Sequence, residues 1–158
     1  MVKVSDSLFL RKVITTDVKL LLNWANDSET LKWSFNPNTI APFEHKKWFK
    51  KKLKSPNVLM LILEQRSRPA GLVRLEKEDD EIVLNYMIAP EERSQGLAIK
   101  MLGMAMDIKE DYWGNIKVLA YTFPENIASK KSLKKAGFSL MNSAEGKNCY
   151  KFNKSEND

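Results

Sequence analysis

Between Val58 and Ile88 three strand-like runs follow one another with only turn-prone residues between them, and this succession restricts the fold more than any other feature. Val58 to Glu64, Ala70 to Lys77 and Ile82 to Ile88 are rich in Val, Ile and Leu, and the joints Gln65 to Pro69 and Lys77 to Asp80 carry the turn residues. Runs spaced this closely pair as an antiparallel meander. Strict alternation of strand and helix is thereby excluded, and with it a dinucleotide-binding domain whose glycine-rich loop follows its first strand.

The flanking sequence supplies helices. Leu8 to Ile14 alternates as a strand, and Thr15-Thr16-Asp17 offers N-cap chemistry before Leu20, Leu21, Leu22, Trp24 and Ala25. Asn26-Asp27 and Asn36-Pro37-Asn38 are turn signals around a short Trp33-Ser34-Phe35 segment. A lysine-rich helix is expected from Phe43 to Lys54, with Trp48, Phe49 and Leu53 inward and the lysines in water. After the meander, the polar loop Glu91 to Gly96 runs into Leu97, Met101, Leu102, Met104, Ala105 and Ile108 at helical spacing. Ile116 to Thr122 reads as a strand, Asn126 to Lys135 as a basic amphipathic helix, and Phe138 to Met141 with Cys149 to Phe152 as a closing hairpin. The order β-α-α-β-β-β-α-β-α-β-β predicts an α/β fold, a mixed sheet flanked by helices, as one domain over residues 1–154 with a polar tail at 155–158.

Composition removes several function classes. With 43% hydrophobic residues in 158, the chain can bury one real core. One Cys and one His exclude a disulfide framework, a Cys/His zinc site and a haem attachment motif, so no metal is expected. The longest apolar run, Val58 to Leu63, is too short to span a bilayer, and the beginning Met-Val-Lys-Val-Ser-Asp has no apolar stretch after it, which predicts a cytoplasmic protein away from membranes. The net charge of +6 admits either a nucleic-acid surface or a small polyanion such as a nucleotide.

Leu84 to Ala98 carries the chemistry, because there a strand delivers a polar, glycine-containing loop straight into a helix. Free N–H groups at a helix N-terminus, with a glycine permitting close approach, form an anion site, and phosphate is the natural guest. Arg93 adds a positive side chain. The loop lacks the G-x-x-x-x-G-K-[ST] pattern of a nucleoside triphosphatase.

Arg93-x-x-Gly96-x-Ala98 after a strand ending at Ile88-Ala89-Pro90 resembles the pyrophosphate motif of the GNAT superfamily of N-acetyltransferases. A second block, Asn126-Ile-Ala-Ser129-Lys-Lys-Ser-Leu133-Lys-Lys135-Ala-Gly137-Phe138, is similar to that superfamily's N-x-x-[AS]-x-x-x-[YL]-x-K-x-G-F, and together they extend the resemblance from Leu8 to Phe152. It implies the GNAT acyl-CoA acyltransferase fold, acetyl-CoA as co-substrate, and transfer of its acetyl group to a primary amine by direct attack. Met87 and Ile88 would offer backbone groups to pantetheine; Arg93, Ser94, Gln95, Gly96, Leu97 and Ala98 would hold the pyrophosphate. Asn126 and Ser129 would bond from the opposite side, and Lys130, Lys131 and Lys134 either approach the adenosine phosphates or form a solvated face. Many relatives protonate the leaving thiolate with a tyrosine where this chain has Leu133; Ser132 sits about 100° round the helix from it. Tyr121, on the strand before Asn126, is the acid/base candidate, with core or rim packing as its other reading; Asn85 and Glu125 are weaker candidates.

The N-terminal half is similar to the enzymes that acetylate nucleotide-linked amino sugars in pseudaminic-acid and related surface-sugar biosynthesis, on the strength of Leu21 to Asp27, Trp33-Ser34-Phe35-Asn36, Ile40 and His45-x-x-Trp48-Phe49. That likeness makes Ser34, Phe35, Asn36, His45 and Trp48 candidate acceptor contacts, with a nucleotide sugar as the partner and a homodimer left open. His45 also reads as a structural histidine, and Trp24, Trp33 and Trp48 as core. Three alternatives compete: a ribosomal-protein or protein N-terminal acetyltransferase, a non-catalytic acetyl-CoA sensor, and a basic nucleic-acid domain, for which no stacking or groove-reading motif is present.

Overall fold

The computed structural model describes residues 7–153. The expected polar tail and the first six residues lie outside them. Along the chain run β1 (Leu8–Lys12), a 3₁₀ turn (Thr15–Asp17), α1 (Val18–Ala25), α2 (Ser28–Lys32), α3 (Pro42–Lys54), β2 (Val58–Gln65), β3 (Arg68–Glu78) and β4 (Glu81–Ile88). A second 3₁₀ turn (Pro90–Glu92), α4 (Leu97–Trp113), β5 (Lys117–Thr122), α5 (Ile127–Lys135), β6 (Phe138–Ala144) and β7 (Lys147–Phe152) follow. One sheet in the order β1-β2-β3-β4-β5-β7-β6 contains all seven strands. Every neighbouring pair is antiparallel except β4 and β5, joined in parallel through α4.

The expected α/β mixed sheet is present, with one addition: α2, where only turn signals stood, is a five-residue helix too short for a periodic pattern. Asp27, read as part of a turn, is its N-cap and accepts the Thr30 N–H at 3.1 Å. The strands meet expectation to within a few residues, and the closing hairpin extends to Ala144 and back from Lys147.

β2 explains why the sheet needs helices on both faces. Leu59, Leu61 and Leu63 enter a core beneath α4 and α5, with Val73, Leu75, Met101, Leu102, Leu133 and Tyr150. The alternate residues Met60 and Ile62 enter a second core with Leu21, Trp24 and Phe49 from α1 and α3. Period two thus sorts one apolar run into two layers. α3 starts with Pro42 in its first turn and ends with Lys51, Lys52 and Lys54, an arrangement that suits the helix dipole. No helix among the described residues is long and apolar enough to cross a membrane.

A split sheet and its two faces

β4 and β5 pair only through Glu81–Leu84 against Lys117–Ala120. Beyond Leu84, β4 continues to Ile88 bonded to β3 alone, while Tyr121 and Thr122 of β5 bond to β7 alone. The sheet therefore opens into a wedge whose β4 wall is residues 85–88, with Met87 and Ile88 on it. Backbone groups facing such a gap are ready to pair with an extended ligand as a strand would.

At the mouth of the wedge the loop 90–96 is already held in shape. The Glu92 carboxylate, buried in the loop, accepts from Gln65 Nε2 at 2.9 Å and Gln95 Nε2 at 3.3 Å and pairs with Arg68 at 3.0 Å. Ser94 and Gly96 both have positive φ, 67° and 73°. Gly96 is the N-cap of α4, with no side chain capping the helix, and a Cβ there would meet nothing within 4 Å. No capping side chain meets the first N–H groups of α4, those of Leu97 and Ala98 among them, and the space beside Gly96 is open, a setting that suits an anion. The Arg93 guanidinium is turned elsewhere: its Nη2 donates to Asp27 Oδ2 at 2.7 Å and to Thr30 Oγ1 at 3.4 Å, tying this loop to α2. That hydrogen bond and the Arg93 charge hold the Asp27 carboxyl below its ordinary value.

Opposite the phosphate loop, Asn126 caps α5, its Oδ1 accepting the Ser129 N–H at 3.2 Å. The Ser129 hydroxyl lies 2.8 Å from the Tyr86 hydroxyl on β4. Sequence reading passed over Tyr86 as a strand residue of ordinary alternation; only the end of the β4–β5 pairing makes its position notable. Leu133 is fully buried in the core.

On the face away from α4 and α5, two adjoining cavities of about 350 and 280 Å³ share Tyr121, Asn142 and Cys149. The first adds Phe35, Val83, Asn85, Glu145 and Lys147, and the second Glu81, Lys117 and Lys151. Phe35 packs edge-on against Phe123 with ring centroids 4.7 Å apart, and Lys147 Nζ stands 4.2 Å over the Phe35 ring. Of the expected acceptor contacts, the structure brings Phe35 alone to these cavities. Ser34 and Asn36 bond to one another in their own turn, and Trp48 stacks under Arg74 at 5.1 Å, one strand away from Asn85. His45 is buried: its Nε2 donates to the Val18 carbonyl at 3.1 Å and its ring stacks on Trp48, so it pins α3 to the start of α1. Burial also lowers its pKa, which keeps the imidazole neutral.

Tyr121 lies between the cavities. Burial raises its phenol pKa, and the neighbouring Cys149 thiol and Glu81 carboxylate raise it further, so at neutral pH it is protonated and can donate a hydrogen bond. The β6–β7 hairpin residues Asn142, Glu145 and Lys147 were missed from sequence, because a hairpin tip reads as turn chemistry and says nothing about which face it overhangs.

A gap between two parallel strands, an uncapped helix N-terminus at its mouth and cavities on the opposite face are features that suit an enzyme of two substrates. The chain belongs to the acetyltransferase (GNAT) domain family, whose model matches residues 7–139. It is an acetyl-CoA-dependent N-acetyltransferase. Comparison with solved structures gives the same fold: aminoglycoside acetyltransferase AAC(6')-Ib in complex with ribostamycin and coenzyme A (18% identity, 92% of each chain, TM-score 0.80), and spermidine N-acetyltransferase from Vibrio cholerae with CoA and spermine (18%, 91% of this chain and 92% of that one, TM-score 0.78). The ribosomal L7/L12 alpha-N-protein acetyltransferase RimL in complex with coenzyme A is also similar, at 15% identity over 94% and 95% of the chains with a TM-score of 0.78. No curated protein matches the sequence.

Proposed function

We propose that the protein acetylates the primary amine of a nucleotide-linked amino sugar. The observation that carries this reading is the lining of the paired cavities. Phe35 and Tyr121 offer ring faces, Asn85 and Asn142 offer amides, and Lys147, Lys117 and Lys151 offer positive charge. Rings and amides suit a sugar and a base, and lysines suit a diphosphate. A polycationic acceptor is poorly served, because only Glu145 and Glu81 oppose those three lysines and Glu81 is itself paired with Lys117 at 3.4 Å.

Acetyl-CoA enters from the other side of the wedge. Met87 and Ile88 present backbone to the pantetheine arm; the loop from Arg93 through Ser94, Gln95 and Gly96, with the N–H groups of Leu97 and Ala98, receives the pyrophosphate. Asn126 and Ser129 border the arm from α5. The open backbone, the uncapped helix and the free space at Gly96 fit that ligand. The neutral amine attacks the thioester carbonyl directly, oriented by Asn85 and by a hydrogen bond from the Tyr121 hydroxyl. We place the reaction in the cytoplasm, which the single, buried Cys149 suits.

The test is thiol release from acetyl-CoA with UDP-linked amino sugars set beside basic peptides, spermine and an aminoglycoside. Turnover of the sugar nucleotides alone is expected. Turnover confined to peptides or polyamines would sink the reading.

A further inference from the structure

We propose that Tyr86 gives the proton that the departing CoA thiolate needs. The argument begins with what α5 lacks: Leu133, 1% exposed and packed among core residues, has no proton to give. Tyr86 is the second β4 residue past Leu84, the last to pair with β5, so it stands where the wedge begins. Its side chain leaves β4 on the α4/α5 face, with Ile82, Leu84 and Ile88, and its hydroxyl crosses to Ser129 Oγ at 2.8 Å. A phenol from one wall of the gap is thereby fastened to the helix that borders the other.

The fastening is itself anchored. Ser129 is the third residue after the α5 N-cap, and its N–H is held by Asn126 Oδ1, so the partner of the Tyr86 hydroxyl is fixed by the cap. Ser129 is the group that bonds to this phenol, and the Ser132 hydroxyl also favours its ionised form. Burial raises its pKa and the two serine hydroxyls only partly offset that, which leaves it protonated at neutral pH and able to donate.

In the step itself the amine nitrogen forms the new C–N bond and the C–S bond breaks with its electron pair on sulfur. Tyr86 Oη–H transfers its proton to that sulfur, giving CoA thiol. The phenolate recovers a proton from water, and the amide nitrogen releases one to water, so no further reactant is needed.

This assignment rests on the acetyl-CoA placement proposed above, and the experiment separates the two. CoA is titrated on the full chain while thiolate absorbance is followed in the ultraviolet, which needs no acceptor. A hydrogen bond donated to sulfur stabilises the thiolate, so CoA bound to the wild type should ionise at a pH about one unit below CoA bound to Tyr86→Phe. Ser129→Ala should move it part of the way, and Ser129→Thr, which keeps the hydroxyl, should restore it. With an active acceptor, Tyr86→Phe should lower kcat by about 100-fold and leave the KM for acetyl-CoA within about twofold. If CoA binds both proteins and ionises at the same pH in each, Tyr86 is only a packing residue and the proposal is overturned. If CoA fails to bind the wild type, the placement falls with it.

Discussion

Asp17 is 7% exposed and accepts three hydrogen bonds: from Arg11 Nη1 at 2.8 Å, Arg11 Nη2 at 3.0 Å and the Ile14 N–H at 2.8 Å. Burial alone would raise its pKa, but the Arg11 guanidinium and the Ile14 N–H outweigh it and hold the carboxyl below its ordinary 3.8. A carboxyl lowered in the fold stabilises it at pH values above the unfolded pKa and loses that contribution as pH falls through the folded one. Asp17→Asn should therefore cost about 2 kcal/mol at pH 7, and urea denaturation curves of the two proteins should converge only as pH falls through the folded-state pKa, below 3.8. A gap that persists undiminished at pH 2 would assign the loss to packing. Residues of this kind mark the limit of what sequence discloses. Gly96 was legible because it serves the helix it precedes, within a turn of itself. The partner of Arg93 was not, since Asp27 lies 66 residues away, and the environment of His45 depends on a carbonyl 27 residues back.

Two short elements set the geometry of the site. α2 owes its start to Asp27, whose carboxylate serves both the Thr30 N–H and Arg93. Asp27→Ala removes cap and ion pair together and should lower stability by about 1–2 kcal/mol, readable by denaturant titration. An unchanged midpoint would mean that α2 is held by packing alone. The turn before α4 is the stricter case. Gly96 sits at φ 73°, where a side chain is strained, and faces the space given to the pyrophosphate. Gly96→Val should raise the KM for acetyl-CoA at least about tenfold, equivalent to about 1.4 kcal/mol, and leave the acceptor KM within about twofold. Equal losses on both substrates would point to a misfolded loop. The helices and strands themselves followed from periodicity, whereas the wedge did not: Asn85 to Ile88 read as strand in the same way as Glu81 to Leu84, and nothing local says where a neighbour stops pairing.

At the scale of the molecule, the sheet is covered unequally. The α1/α3 core takes residues from β2, β3 and β4 and ends there, whereas the α4/α5 core runs on to Val118, Ala120 and Tyr150 of β5 and β7. The face of β5 and β7 away from α4 and α5 is left for the two cavities, and Tyr121 and Met141, which line them, are exposed. β4 and β5, which divide these two halves, are held together by only four residue pairs. A ligand lying in the wedge supplies contacts to both strands that the apo fold lacks, so its binding energy adds to the cohesion of the sheet. At a concentration 100 times its Kd, acetyl-CoA stabilises the fold by about 2.7 kcal/mol, which for a chain of this size raises Tm by roughly 5–11 °C. Amide exchange should localise the effect, slowing at residues 85–88 and 97–99 and leaving β1 and β2 as they were. Because the excess of six positive charges favours a phosphorylated ligand at long range, the gain should shrink between low and 0.5 M salt through a weaker Kd. Protection spread evenly over the sheet, with no focus at the wedge, would place acetyl-CoA elsewhere on the molecule.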